Sequence, residues 1–468
     1  MITASVLRKQ YPVGHGGFHA GRMLVRTDAV PIPNARLLEA KNADGSAAQR
    51  TLLEKFYVYD CGSESPEAFD RSLRNHNRLT DTRTDILFVS HLDSDHVNKI
   101  ERLMGANPPK IVVLPYLDFE DLAVLFLRDV DSGKATSSVR EYVQDPLNWW
   151  LRRGVTHVIF VEPGKDGDKS PPAPWPDAPR DPDGPNPSAS SEGAQARLVC
   201  IFRPPRLHAP KGFVSPKYDT PQDIDKELPS GGILAGTGTY FRLEWRSSVG
   251  DSWRLADWIL LPYVHPVESA TRTAFQQAIF HELALPSSPE LEVFARGLLD
   301  ALLTKRKKLV SLYSDHFEVD QNSISMSLYS GPETEHRSNL PHRWMRPVGK
   351  AQFGFEMAAS AVGWLGTGDS RLKKTDRRKA WLDFFRRFSS HIFILSLPHH
   401  GSWKDFHEEI LEFDALSVAV ATTVRKLERI AGLKDTLRCV KDAKIQAVVV
   451  GDKAKSELTF ECARYLQP

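Results

Sequence analysis

The chain has 468 residues, 41% of them hydrophobic and 26% charged, an ordinary globular balance that excludes a disordered, collagen-like or fibrous protein. Lys and Arg number 61 against 59 Asp and Glu, a net charge of +2, so no global field calls for a polyanionic partner and any nucleic-acid binding has to be local. Cys61, Cys200, Cys439 and Cys462 are scattered without a C-x-x-C pair, which reads as free thiols in a reducing cytoplasm. No stretch approaches the roughly 18 apolar residues of a membrane span, and the first residues lack a signal peptide's apolar core. A soluble, cytoplasmic protein with no membrane partner is expected.

In chain order, a strand is expected over Phe56–Tyr59, then a helix over Ser65–Asn75, where Ser65 before Pro66 has the form of an N-cap followed by proline at the first helical position. Strands follow at Ile86–Val89 and Ile111–Leu114, a helix at Phe119–Val130 and a strand at His157–Val161. Gly164–Gly193 is crowded with Pro, Asp, Ser and Gly and reads as a disordered, Pro-rich surface loop. Beyond it come a strand at Trp258–Leu261, helices at Ala270–His281, Leu291–Lys308 and Lys379–Phe388, and strands at Ile392–Leu397 and Ala447–Val450. This interleaving predicts a layered α/β fold. Two basic stretches, Lys305–Lys308 and Arg371–Arg387, read first as solvated helix faces and second as phosphate contacts.

Potential chemistry concentrates where apolar runs end. Asp85–Ser90 leads straight into His91-Leu92-Asp93-Ser94-Asp95-His96, four potential metal ligands within six residues. In a layered α/β fold the carboxyl end of a strand faces the crevice where ligands bind. Ionisable groups so close repel one another or need costly desolvation unless a cation satisfies them, so His91 with Asp93, and Asp95 with His96, read as ligands of two ions. Far downstream Ile392–Leu397 ends in Pro398-His399-His400-Gly401-Ser402, and Ala361–Leu365 leads into Gly366-Thr367-Gly368-Asp369.

Taken together, these motifs resemble the metallo-β-lactamase superfamily, and within it the subgroup that includes the hydrolase domain of ComEC-type DNA-uptake proteins. Ser90 to His96 is similar to that subgroup's S-H-x-D-x-D-H, with Asp93 where most of the superfamily has histidine. Val13-Gly14-His15-Gly16-Gly17 resembles its opening V-G-x-G turn, and Tyr59-Asp60-Cys61-Gly62 its strand-ending Asp-x-Gly. Asn322-Ser323-Ile324-Ser325, Thr367-Gly368-Asp369 and Pro398 to Ser402 resemble its N-x-S, T-G-D and P-H-H-G-S segments. Two departures stand out: Asn98-Lys99 replaces the usual Gly-Gly, altering pocket access, and Gly17 stands where the subgroup often has Asp, removing a carboxylate.

The resemblance implies one elaborated αββα sandwich over residues 1–468, with 198–310 as a family-specific elaboration. It also implies a site for two divalent ions, zinc or manganese, with magnesium possible in principle; the carboxylate of Asp93 favours the harder ions. His91 and Asp93 would hold the first ion, Asp95 and His96 the second, and Asp369 would bridge them. His399 or His400 would complete the second site, the other holding substrate or donating a proton, which makes Asp95 and His400 the candidate catalytic residues. Asp60 is a candidate for orienting a metal-bound imidazole, and His15 and Ser402 are candidates for supporting the site or substrate. The first ion lacks a ligand, to be supplied by Asn322 in the Asn322-Ser323 segment, by water, or by His265. The activity this implies is hydrolysis of a phosphodiester in DNA, RNA or a nucleotide. The alternatives are a small ester, thioester or lactone hydrolase, and an effector or accessory component of a bacterial multi-protein defence system, with conditional or lost activity and a protein partner from the same operon.

Overall fold

The computed structural model describes residues 2–28, 49–117, 122, 137–164, 194–246, 253–265, 269–286, 297, 301, 304–316, 324–333, 344–347, 361–424 and 427–466. The first part of the chain contributes β1 (Ile2–Gln10), β2 (His19–Asp28), β3 (Gln49–Tyr59), β4 (Ile86–Phe88), β5 (Ile111–Pro115) and β6 (His157–Val161). The central part adds β7 (Gln195–Ile201), β8 (Gln222–Asp223), β9 (Gly231–Ala235), β10 (Tyr240–Arg246) and β11 (Arg254–Val264). The last part supplies β12 (Met326–Gly331), β13 (Trp344–Pro347), β14 (Gly363–Gly366), β15 (Ile392–Ser396), β16 (Val418–Thr422), β17 (Gln446–Val450) and β18 (Leu458–Leu466).

These strands form two mixed nine-stranded sheets, ordered β13-β18-β1-β2-β3-β4-β5-β6-β9 and β17-β16-β15-β14-β12-β11-β10-β7-β8. The period-two alternation of the strands builds the layers. Ile86 and Phe88, Ile111 and Val113, and Ile159 and Val161 point into a core shared with Leu260, Val264 and Leu328 of the other sheet. Between them Leu87, Val112, Leu114, Val158 and Phe160 point outward, against Phe69 and Leu73 of helix Pro66–Thr80 and Trp149 and Trp150 of helix Pro146–Leu151. On the far side Ile259, Leu261, Leu365 and Leu395 meet Trp381, Phe384 and Phe385 of helix Thr375–Phe385 and Val440 of helix Leu427–Asp442. The protein is therefore α/β, with two facing mixed sheets and helices on their outer faces.

Each sheet changes from antiparallel to parallel pairing at one strand: β3 pairs antiparallel with β2 and parallel with β4, and β14 pairs antiparallel with β12 and parallel with β15. In α/β folds ligands bind beyond the carboxyl ends of the strands. Asp60 follows β3, His91 follows β4, Asp369 follows β14 and His399 follows β15, so the motif residues gather at both switches.

The helix after Ser65 begins with Pro66 as expected and runs on to Thr80, but the Ser65 hydroxyl makes no capping bond. The helix expected at 119–130 lies, apart from residue 122, outside the described residues, as does the loop from 165 to 193. Of the helix expected at 291–308, residues 297, 301 and 304 are described and helical, and Arg306–His316 is helical beyond them. Residues 195–264 supply β7 to β11, strands of both sheets. The basic segment 371–387 is not a uniformly solvated face: Arg378 is buried, donating to Glu409 and to the carbonyls of Leu372 and Lys373. Lys305 and Lys308 both pair with Glu282. Among the described residues no helix is long and apolar enough to cross a membrane.

Candidate metal centre

Backbone bonds fix the loop after β4. Asp93 precedes the short helix Ser94–Val97, whose first turn is closed by His96 and Val97 amides donating to the Asp93 carbonyl at 2.8 and 3.1 Å. The 60–62 turn clamps it from the side, with Cys61 N donating to His96 O at 2.8 Å and Lys99 N to Cys61 O at 3.1 Å. Asn98 occupies the position of the expected glycines and ties this loop down further, its amide bonding both the N–H and the carbonyl of Ser63 at 3.0 Å.

Asp369 is the centre of the cluster. Its Oδ2 lies 3.5 Å from His91 Nε2 and 3.6 Å from His399 Nε2. Its Oδ1 lies 3.2 Å from His96 Nε2 and 3.8 Å from His400 Nε2. Asp93 joins the first side, 3.8 Å from His91 Nε2. Asp95 joins the second, its Oδ2 3.0 Å from His400 Nε2, 3.4 Å from His15 Nε2 and 3.8 Å from His96 Nε2. Two sets of ligand atoms, from His91, His96 and Asp369 and from His15, Asp95 and His400, each lie within 4.8 Å of one another. His96, Asp369 and His400 of the cluster line a cavity that reaches back to Gln10, His19 and Trp364.

Every imidazole turns Nε2 inward and is held from behind at Nδ1. His91 is held by Ser90 Oγ at 2.8 Å, His96 by Asp60 Oδ2 at 2.8 Å, His399 by Asp405 Oδ2 at 2.7 Å, and His400 by Thr422 Oγ1 at 3.1 Å. His15 meets Thr423 Oγ1 more distantly, at 3.5 Å. Asp60 in turn accepts from Ser90 N and Ser90 Oγ, both at 2.7 Å. This is how metal-binding imidazoles are oriented, the nitrogen away from the ion fixed by a hydrogen bond.

The donor set fits divalent cations. Nε2 of His96 and Nε2 of His400 stand 3.2 Å apart with both Nδ1 atoms engaged behind. With Nδ1 carrying the proton on both rings, two Nε2 lone pairs face each other, an arrangement that a cation between them makes favourable. His91 Nε2 is buried without a hydrogen bond. Burial raises the pKa of Asp369, but His399, His96, His91 and His400 outweigh it and hold the carboxyl well below its usual range. Burial lowers His399, yet Asp369 and Asp405 push it up to about 9. His96 is likewise raised against burial by Asp369, Asp60 and Asp95. The carboxylates thus hold positive charge on the imidazoles, charge that a bound cation replaces as it displaces protons.

The backbone carries strain at the same place. His399 and His400 both adopt left-handed conformations, at φ 46° and 58°, as does Asp60 at φ 59°. Non-glycine residues held so cost on the order of 1–3 kcal/mol each and cluster at functional sites. In the tight turn at Pro398–Gly401 this geometry separates adjacent imidazoles, sending His399 to the Asp369 Oδ2 side and His400 to the Oδ1 side. Gly368, at φ +55°, is required for a different reason: a Cβ there would meet Ser325 Oγ at 2.4 Å and Ser90 Cβ at 2.9 Å.

His91, Asp93, Asp95, His96, Asp369, His399 and His400 therefore come together, with Asp60 behind His96 and His15 inside the cluster. His399 stands with His91 on the Oδ2 side of Asp369, and His400 with His96 on the Oδ1 side. His265 does not supply the ligand expected for the first ion; it is buried against Tyr263, its pKa lowered to about 3 by burial and by Arg377. Asn322 and Ser323 lie outside the described residues. Ser402 acts through its backbone, N donating to His399 O at 2.9 Å. The carboxylate missing at Gly17 is replaced in space, because a Cβ on Gly17 would lie 2.6 Å from Asp60 Cβ and 2.9 Å from His96 Nδ1. Sequence reasoning missed the holding residues Asp405, Thr422 and Thr423; the one available signal was the apolar run of β16 ending in paired threonines. Compared with protein-family models and with curated proteins, the chain matches none of them.

Proposed function

We propose that the chain is a metallo-β-lactamase-fold hydrolase, similar to the ComEC-type subgroup, that cleaves phosphodiesters with two divalent ions. The observation that carries this is the convergence of five Nε2 atoms on Asp93, Asp95 and Asp369, with each Nδ1 met by a hydroxyl or carboxylate behind it. His91, Asp93, His399 and Asp369 Oδ2 would hold the first ion. Asp95, His96, His400, His15 and Asp369 Oδ1 would hold the second. When bound, such a pair supplies a water of lowered pKa as nucleophile and neutralises charge gathering on the phosphate.

The chain's own groups do the rest. Ser90, Asp60, Asp405 and Thr422 keep the rings aimed, so that little reorganisation is needed as charge develops. Asp93 and Asp95, with side chains 19% and 18% accessible, are the carboxylates of the cluster nearest solvent, and Asp95 is the candidate to take up a proton. The mixed N/O donor set suits manganese or zinc.

The test is cleavage of methyl p-nitrophenyl phosphate, p-nitrophenyl acetate and a thioester by full-length protein in Mn2+ or Zn2+, beside the Asp95→Ala, His96→Ala double variant. Diester cleavage by wild type alone supports the proposal. Cleavage of the esters but not the diester would replace it with the small-ester alternative, and no turnover with metal bound would favour a partner-dependent component.

A further inference from the structure

Trp403 and Leu207 are the two large hydrophobic side chains exposed among the described residues, Trp403 at 37%. Trp403 follows His400 by three residues, so their Cα atoms lie within about 11 Å of each other. The turn that carries it is tied to the ligands. Asp405 and Phe406 amides donate to Ser402 O at 3.2 and 3.1 Å, and Asp405 holds His399. The segment after Asp369 meets it from the other side: Lys373 Nζ donates to Trp403 O at 3.2 Å and stands 5.0 Å from the indole centroid. Lys373, Lys374 and Lys404 are all exposed beside it.

The same turn marks where the site opens. The His399 side chain is 27% accessible, against 4% for His91 and His96, 5% for His400 and 10% for His15. The turn that carries His399 also carries the Trp403 indole and Lys404, and the segment after Asp369 brings Lys373 against that indole with Lys374 next in the chain. A phosphate needs the cations alone. An exposed indole adds a π-surface, which stacks on any nucleobase regardless of sequence.

We propose that Trp403 is a stacking platform for the nucleobase beside the scissile phosphate, with Lys373, Lys374 and Lys404 taking the neighbouring backbone phosphates. An arriving base displaces the Lys373 ammonium from the ring and frees it for phosphate. The substrate class is then a base-bearing diester, in a single strand or a free nucleotide. This rests on the phosphodiesterase proposal above.

The test is fluorescence anisotropy of full-length protein with two labelled, phosphorothioate-linked 12-mers: oligothymidine, and an abasic strand of equal charge. Wild type is expected to bind oligothymidine tighter, by roughly tenfold to a hundredfold. Trp403→Ala should bind both strands alike, and Trp403→Phe should recover part of the preference. A purely structural indole would weaken both strands together, overturning the inference. Equal binding of the two strands by wild type, a preference that survives Trp403→Ala, or no binding of either strand would overturn it as well. Competition with thymidine monophosphate separates the sources: displacement at equal concentration assigns the platform to a free nucleotide, displacement by oligothymidine alone to a strand. A wild type with the preference but no cleavage of methyl p-nitrophenyl phosphate would sink the diesterase proposal and leave the platform standing.

Discussion

Replacing Asp60 with Asn removes one charge and one acceptor oxygen while leaving the shape intact. Asn tolerates the left-handed conformation that Asp60 adopts at φ 59°, so the turn survives. Asp60 now accepts from Ser90 N at Oδ1 and from Ser90 Oγ and His96 Nδ1 at Oδ2. An amide has one acceptor oxygen, so its NH2 must face either the Ser90 N–H or the His96 Nδ1. In the first arrangement a buried donor is left without its bond, at a cost of about 1–3 kcal/mol. In the second the His96 proton moves to Nε2, which then points N–H where an ion would sit. Either way, affinity for the ion on the Asp369 Oδ1 side should fall by about 10–100-fold, the usual effect of losing such a partner. The ion beside His91 and His399 should be little affected, since Ser90 and Asp405 still hold those rings. Competitive titration of the metal-free protein with Zn2+ against a chromophoric chelator reads both affinities. Two unchanged binding steps in Asp60→Asn would refute the reasoning.

Three further outcomes follow from the geometry. His399→Ala should lose the ion on the Oδ2 side and His400→Ala the ion on the Oδ1 side, each leaving one ion per chain by elemental analysis; loss of the same ion in both would contradict the division made by the turn. Gly17→Ala should cost about 1–3 kcal/mol of stability by overpacking, and should weaken metal binding with it, because the new methyl lands on Asp60 and His96; an unchanged denaturation midpoint would show that the contact yields. Glu333 is buried, and burial pushes its carboxyl up to about 7. A folded pKa above the unfolded one gives stability that is present at low pH and is lost as pH rises from about 4.5 through 7, up to about 3 kcal/mol in all. Glu333→Gln should therefore raise stability at pH 8 far more than at pH 5, and an equal shift at both would show that the charge is not what costs.

How much was legible depends on where the information sits in the chain. The cluster from His91 to His96 could be read because local density, a strand end and the charge problem coincide within a few residues. β4, β5 and β6 could be read because their apolar runs are uninterrupted. β1 could not: Arg8 is 1% exposed in the middle of the strand, made tolerable by donating to the carbonyls of Ser330 and Val362, hundreds of residues away. β10 hides in the same way, since buried Glu244 carries Arg197 and Arg242 in ion pairs, and a strand with such charges looks exposed. The division of His399 from His400 depends on backbone angles of a turn, which residue types alone do not disclose. Asp405 and Thr422 act through distances across elements, and neither stands in a motif that announces it.

The most direct test is whether the cluster around Asp369 holds metal. Full-length protein should be stripped with chelator, reconstituted with Mn2+ or Zn2+, desalted and analysed for metal by mass spectrometry, beside Asp369→Asn. Close to two ions per chain in wild type, and at most one in Asp369→Asn, is the predicted result. A wild type that retains no ion, or an Asp369→Asn protein that retains the full complement, would contradict it.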